Sequence, residues 1–346
     1  MTYLNEKLLI IDGSSMLTTA FYATCPKSFY YAKTEEEREK IYPKLMHTST
    51  GLYSNAIYGM LKQVLNIITY QCPEYIVFCF DKSRNTFRRK IYPEYKANRK
   101  ITPKPLEEQF IAMENILEEI GMKVLVNDNY EADDLAGSMA KKFEDEVDVI
   151  LMTKDHDYYQ LVNEKTKVWM GIHSIKALHE MLDKYNIDES ALNIPYRYLE
   201  ITPEIVKGET GVYPHQIPDL KGFLGDASDN IPGVKGISSA AAPLLSLYKT
   251  VEGVYAAIEA IGYSKDNINT VLDYWKTCGI KRSPIKALTR PGTGNERGAK
   301  DYALLSKQLG TIVTDIPLNI KLNDVKLNIN QKSLSAVKKK YEIKLF

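Results

Sequence analysis

Carboxylates recur at positions where they can share one task. Asp12 closes LLIID, Asp81 follows YIVFCF and Asp155 follows DVILMTK, so each falls at or just past the end of a short apolar run that reads as a buried strand. Open α/β sheets place their ligand sites at that edge. Glu131, Asp133 and Asp134 open the amphipathic stretch EADDLAGSMAKKF, which follows a third such run, MKVLV, and they reach the same rim. On a helix Glu131 and Asp134 share a face, whereas Asp133 points roughly 100° away from Asp134. A single acid after a strand is an ordinary turn residue, and acids in a first helical turn suit the macrodipole. Convergence of at least five changes the reading, because packed carboxylates repel and hold protons more tightly unless cations neutralise them. Oxygen donors without Cys or His select hard divalent ions, Mg²⁺ or Mn²⁺. Two such ions about 4 Å apart suit displacement at a phosphodiester.

A second chemical signature is LKGFLGDASDNIPGVKGI, from Leu220 to Ile237. Asp226 and Asp229 flank a tight polar turn, and Gly233, Val234, Lys235 and Gly236 form a small hairpin with few side chains in the way. Such a backbone can bring N–H groups close to a phosphate, and a following helix N-terminus adds favourable potential.

The elements that must position these groups follow from periodicity. Ile57, Met60, Leu61, Val64, Ile67 and Ile68 recur at helical spacing from a Ser54 cap to about Tyr70, and Leu106 to Ile120 repeats the pattern before Gly121. Strands alternating with helices predict an α/β fold with a mostly parallel sheet covered on both faces. TEEEREK, Thr34 to Lys40, reads as a charged helix. From Gly171 to about Ile201 the pattern reads as helical, with Leu178, Met181, Leu182 and Tyr185 on one face and no chemical signature.

The 346 residues suggest about two domains of ~150 residues. Lys and Arg number 45 against 44 Asp and Glu, so the net charge of +1 gives no support to a strongly basic nucleic-acid binder. The sum conceals segregation. Lys82 to Lys104 carries nine basic residues and only Glu94 as an acid, Glu131 to Gln160 nine acids against three bases, and Lys321 to Phe346 seven lysines against Asp324 and Glu342. Each run alone is more often a solvated face than a site. The four cysteines show no CxxC, which argues against a zinc finger or a disulfide framework and for a reducing cytoplasm. No basic-then-apolar leader and no apolar run near ~20 residues is present, so a soluble protein with no membrane partner is expected.

Taken together, LLIIDGSS, SNAIYGML, FDKSRNTFRRKIYPEYKANR, YEADDLAGSMA, LMTKDHDYYQL, FLGDASDNIPGVKGI and SKQLGTIVTDIPL resemble the 5′-nuclease family. That family comprises the 5′→3′ exonuclease domain of bacterial DNA polymerase I, phage 5′-exonucleases and, more distantly, flap endonucleases. The resemblance implies a PIN-like nuclease domain over 1–200 with a basic arch near 82–110, a helix–three-turn–helix duplex-binding subdomain over 201–320, and a basic C-terminal tail over 321–346. It implies a first metal cluster of Asp12, Asp81, Glu131, Asp133 and Asp155 and a second of Asp134, Asp157, Asp226 and Asp229, holding two Mg²⁺, with Mn²⁺ as a substitute. Lys96 would contact the scissile phosphate, Arg88 and Arg99 further phosphates, and Tyr95 would stack on a base. Asp81, Lys96 and Asp155 are the expected catalytic core. Gly233, Val234, Lys235 and Gly236 would grip duplex backbone, with a K⁺ ion there in some members.

The implied activity is structure-specific hydrolysis of 5′-ended or branched DNA in replication or repair. It would be carried out by a free-standing monomer in the cytoplasm, with other replication proteins as partners. Arg84, Arg89, Lys90, Lys100 and Lys104 are left as solvated-face residues, and His156 as a tolerated variation. The chain departs from the family after the hairpin, where Ile237 to Pro243 lacks a glycine and a basic residue, and it carries extra residues at 25–49 and 172–199. Removal of RNA primers is an alternative that the sequence leaves open. A DNA-binding scaffold would have lost acids, and a dehalogenase-type phosphotransferase would need an acid where Ser14 stands.

Overall fold

The chain returns through helices from one strand to the next, which forces most of its strands to run parallel. The computed structural model describes residues 6–262, 265–294 and 296–344. In it, β1 (Lys7–Asp12), β2 (Tyr75–Asp81), β3 (Lys123–Asn127), β4 (Asp148–Thr153), β5 (Thr166–Gly171) and β6 (Tyr198–Ile201) form one sheet in the order β3-β2-β1-β4-β5-β6. Only β6 runs antiparallel, against β5. Because β2 and β4 lie on opposite sides of β1, the crossover direction reverses there, and a crevice opens beyond the ends of β1 and β4.

Around the sheet lie α1 (Gly13–Thr24), α2 (Lys27–Tyr31), α3 (Glu35–Glu39), α4 (Asn55–Gln71), α5 (Phe87–Ile91), α6 (Lys104–Glu119), α7 (Ala132–Phe143) and α8 (Ile175–Lys184). The second half adds α9 (Pro203–Thr210), α10 (Ile217–Leu224), α11 (Ala241–Tyr248), α12 (Val251–Ile261), α13 (Lys265–Thr277), α14 (Ile285–Leu288), α15 (Ala299–Gly310) and α16 (Gln331–Lys340). Side chains alternate across a strand, and here both sets are apolar because both faces are covered. Leu8, Ile10, Val77, Val149 and Leu151 pack with α7 and the second half, and Leu9, Ile11, Phe78, Phe80 and Met152 with α1, α4 and α6. Each such side chain contributes about 1.5–3 kcal/mol by leaving water.

Three segments differ from expectation. Between Gly171 and Ile201 only α8 and a short turn are helical, because Gly171 ends β5 and Tyr198–Ile201 forms the edge strand β6. Ser54 stands at the capping position before α4, but its side chain makes no bond to the helix backbone. The carboxamide of Gln109 caps that helix instead, accepting from Ala56 N at 2.8 Å and Ile57 N at 3.3 Å while donating to Asn55 Oδ1 and Pro105 O. The lysine-rich C-terminal stretch folds back on the molecule. Leu334, Val337, Tyr341 and Ile343 enter the core beside α6, while Glu342 accepts from Ser49 N at 3.1 Å.

The strand ends and helix starts thus place the acids at one edge. No helix among the described residues is long and apolar enough to cross a membrane. Gln109→Ala strands two buried N–H groups, so it is expected to lower unfolding free energy by about 1–3 kcal/mol in urea titration. Ser54→Ala, which removes no cap, should change it far less.

Candidate active site

The crevice is a cleft of about 1160 Å³, lined by Asp12, Asp81, Glu131, Asp133, Asp155, Asp157 and Asp226. Local hydrogen bonds fix most of them. Asp12 accepts from Ser15 N at 2.9 Å, capping α1, and from Thr153 Oγ1 at 2.8 Å. Asp81 accepts from Ala132 N at 3.0 Å and so meets the start of α7. Asp155 accepts from Asp157 N at 2.9 Å. Burial, with repulsion from Asp81 and Asp155, pushes Asp12 up to about 7. Burial and the Asp155 charge push Asp157 to about 6, and burial and Asp134 raise Asp133 well above the ordinary carboxylate range. A rim that holds protons this tightly suits hard cations, which would relieve the same repulsion. Among the described residues, however, no three His, Cys, Asp or Glu side chains are gathered closely enough to enclose an ion.

The basic segment reaches the same cleft. Lys82, Arg84, Lys96, Arg99 and Lys100 all line the cleft. After α5 the segment runs in turns to α6, and Arg84 ties it across by donating to Lys100 O at 2.8 Å and Thr102 Oγ1 at 3.1 Å. It is clasped to the Asp226–Asn230 turn by three bonds to backbone carbonyls. Lys96 N donates to Asp229 O at 2.9 Å, Asn98 Nδ2 to Ala227 O at 2.7 Å, and Asn230 Nδ2 to Glu94 O at 2.7 Å. Lys96 and Asn230 both adopt left-handed backbone, with φ of 54° and 56°. This clasp brings Lys96 Nζ to 2.6 Å from Glu131 and 3.5 Å from Asp229, and Arg99 onto Asp229.

Several expected site residues stand elsewhere. Asp134 is not a metal ligand here: it is fully buried, and its oxygens accept from Arg88 at 2.6 and 2.7 Å, Glu131 N at 3.0 Å and Val313 N at 2.8 Å. Arg88 is correspondingly not a DNA contact, being 1% exposed and also donating to Leu309 O and Thr311 O. Tyr95 cannot stack on a base, since its ring is buried and its hydroxyl lies between Glu131 (3.1 Å) and Asp229 (3.2 Å). Asp229 is itself buried behind Lys96 and does not line the cleft. In the hairpin, Gly233 N donates to Ser306 Oγ at 2.9 Å and Val234 N to Phe223 O at 2.7 Å, so neither amide can serve a phosphate. Gly233 is required because a Cβ there would lie 2.3 Å from Gly225 N. Lys235 and Gly236 remain exposed.

Other residues join the site without having been singled out. Lys221 bridges Asp157 at 2.5 Å and Asp226 at 2.9 Å, and that charge, with bonds from Ser228, holds Asp226 down at about 2 despite its burial. Lys221 lies five residues before Asp226 on α10, and only the helix's orientation reveals its role. Arg84 and Lys100, read as solvated-face residues, face the cleft.

The model of the 5′-3′ exonuclease N-terminal resolvase-like domain matches residues 7–191, and that of the 5′-3′ exonuclease C-terminal SAM fold matches 212–282. The chain belongs to the 5′→3′ exonuclease family. A 5′-3′ exonuclease of Buchnera aphidicola is 31% identical over 93% of this chain and 91% of its own length. DNA polymerase I of Caldicellulosiruptor bescii is 33% identical over 92% of this chain, which spans 30% of that polymerase. T5 5′-exonuclease with divalent zinc ions bound matches the fold with a TM-score of 0.52 at 19% identity, covering 89% of this chain and 100% of that one. In this member of the exonuclease family, the strap that follows α15 lies along α7 through Ser138 Oγ and Val313 O. That contact gives the SKQLGTIVTDIPL motif a structural role.

The two kinds of acid should separate in stability measurements. Asp134→Ala leaves Arg88 buried without its partner and is expected to cost about 3–5 kcal/mol. Asp12→Asn keeps the cap and removes a repelled charge, so without metal it should not destabilise at pH 8. Asp12 and Asp157 bind protons more tightly when folded than when unfolded. The stability they add is complete below the ordinary carboxylate range and is lost as pH rises through about 6 to 7. The thermal midpoint of the metal-free protein should therefore fall between pH 5 and pH 8, by less in Asp12→Asn.

Proposed function

We propose that the protein is a structure-specific 5′-nuclease, a 5′→3′ exonuclease and 5′-flap endonuclease that hydrolyses DNA phosphodiesters with the help of divalent cations. The observation that carries this reading is that one cleft holds both kinds of charge. Asp12, Asp81, Glu131, Asp133, Asp155, Asp157 and Asp226 line it together with Lys82, Arg84, Lys96, Arg99 and Lys100. A polyanion needs the cations, and its cleavage needs something on the acids.

Asp12, Asp81, Asp133 and Asp155, with Glu131 beside them, are the residues that would hold one ion, and Asp157 and Asp226 the second. Two such ions supply the charge that activates water and stabilises the leaving oxygen. The chain's own groups do the rest. Asp81 and Asp12 keep their oxygens aimed into the cleft because backbone amides fix them. Lys96, held at the cleft edge by its clasp to Asp229, presents an ammonium where charge develops on the phosphoryl oxygens. Arg99, Arg84 and Lys100 orient the flanking phosphates, contacts that position the strand without reading its sequence. No histidine is required as a base.

Incubation of the full chain with 5′-flap, gapped, blunt and RNA·DNA substrates in Mg²⁺ tests this reading and ranks DNA against RNA·DNA. Cleavage of the flap substrate is expected, EDTA should abolish it, and the products should carry a 5′-phosphate. Asp155→Asn and Lys96→Ala should each lower the rate by about 10²-fold or more, while flap binding in Ca²⁺ stays within a few-fold. A rate that survives chelation, or full activity of either variant, would overturn the mechanism. Because protons and cations compete for Asp12, the thermal shift on adding Mg²⁺ should be larger at pH 8 than at pH 5.5.

A further inference from the structure

One strongly charged segment takes no part in the cleft. From Lys281 to Arg297 the sequence holds Lys281, Arg282, Lys286, Arg290 and Arg297 against the single acid Glu296, a net +4 over 17 residues. Lys281, Arg282, Lys286 and Arg297 are exposed, and among the described residues none of these four has a carboxylate within ion-pair distance. The segment is not loose. Leu288 is buried, Ala299 N donates to Arg290 O at 2.9 Å, and Thr293 and Glu296 exchange backbone bonds at 3.0 and 2.9 Å.

Its position is specific. A Cβ built on Gly236 would lie 3.6 Å from the Cβ of Ala287, so α14 packs directly beside the Gly233–Gly236 hairpin. Glu296 lies 3.5 Å from Lys235 of that hairpin and 3.0 Å from Arg290, so a single carboxylate is shared by both cations in the free protein. Arg297 is close enough to Tyr92 for its charge to act on the phenol, which carries the positive surface towards the segment bearing Lys96. The hairpin needs such help, because Ser238 to Pro243 contains no basic residue.

We propose that Lys281–Arg297 is a second binding surface for the phosphate backbone of duplex DNA, continuous with Lys235, and that Glu296 restrains it until phosphate replaces its carboxylate. The proposal rests on the nuclease reading above. Exposed cations held on a folded scaffold beside Lys235 suit a rigid duplex, whose phosphates recur on a fixed surface, better than a flexible single strand. Each contact would release condensed counterions and so be visible in the salt dependence of binding.

The test is binding of the full chain to a 5′-flap duplex and to a single-stranded oligonucleotide in Ca²⁺ across a salt series. Lys281→Ala, Arg282→Ala and Lys286→Ala are combined in one variant, with Glu296→Gln as a second. At ~0.9 per phosphate contact, the triple variant should lose about two to three from the salt slope and bind duplex on the order of tenfold more weakly. Its affinity for single strands should stay within about twofold, and its thermal midpoint should be unchanged, since all three side chains are exposed. Glu296→Gln should bind duplex more tightly than wild type. A triple variant with wild-type slope and affinity, while wild type binds duplex well, would overturn the surface and leave the nuclease reading intact. Absence of salt-dependent duplex binding by wild type would overturn both.

Discussion

Everything at the cleft depends on one buried ion pair. Removing Arg88 and Asp134 from water costs several kcal/mol per ion, which their attraction offsets only if the remaining donors and acceptors are satisfied. They are: the two Arg88–Asp134 bonds are joined by Leu309 O, Thr311 O, Glu131 N and Val313 N. With Arg88 in the basic segment, those partners belong to the start of α7, the end of α15 and the strap that follows it, so a single pair joins regions more than 200 residues apart in sequence. Glu131 cannot shift without breaking its backbone bond to Asp134, and Glu131 is the group that receives Lys96. The placement of the basic segment relative to the acids is therefore set from behind, by residues that do not line the cleft.

The cleft itself is the opposite kind of environment. Asp12, Asp133 and Asp157 are shifted towards the protonated form because burial and like charges outweigh their hydrogen bonds. Two lysines each bridge a pair of the acids here. Lys96 stands between Glu131 and Asp229, and Lys221 between Asp157 and Asp226. An ammonium on a flexible stem can leave a carboxylate for a phosphate more readily than a forked guanidinium can leave a bidentate partner. The locked pair is accordingly an arginine buried behind the site, and the groups that bridge two acids each are lysines.

How far the sequence discloses this depends on the range of the interaction. The strands, α4, α6 and α7 are legible because each is a run of apolar residues at its own period, and the acids at the strand ends follow from that. The capping of α4 by Gln109 is not legible, since the two meet only after α6 docks across about 50 residues of chain. The edge strand β6 is hidden for a related reason: YLEI is too short to show a period, and its pairing with β5 defines it. Motif membership misassigned Asp134, Arg88 and Tyr95, because a motif records that residues occur together without saying which of them face solvent. Lys221 was missed for the converse reason, as its neighbours in sequence are unremarkable and its partners come from two other segments.

The net charge of +1 acquires a different meaning once each charge has a position. Asp134, Glu131, Asp229 and Asp226 are matched by Arg88, Lys96, Arg99 and Lys221 at close range, so these charges cancel inside the molecule. Among the described residues, exposed cations with no carboxylate at ion-pair distance include Arg84 and Lys100 at the cleft and Lys281, Arg282, Lys286 and Arg297 near α14, whereas Lys235 shares Glu296. Fields at a surface are set by such uncancelled groups, and salt screens them over about 10 Å at 0.1 M ionic strength. A near-neutral sum is thus compatible with local patches of positive charge, because the sum does not say where on the surface its charges lie.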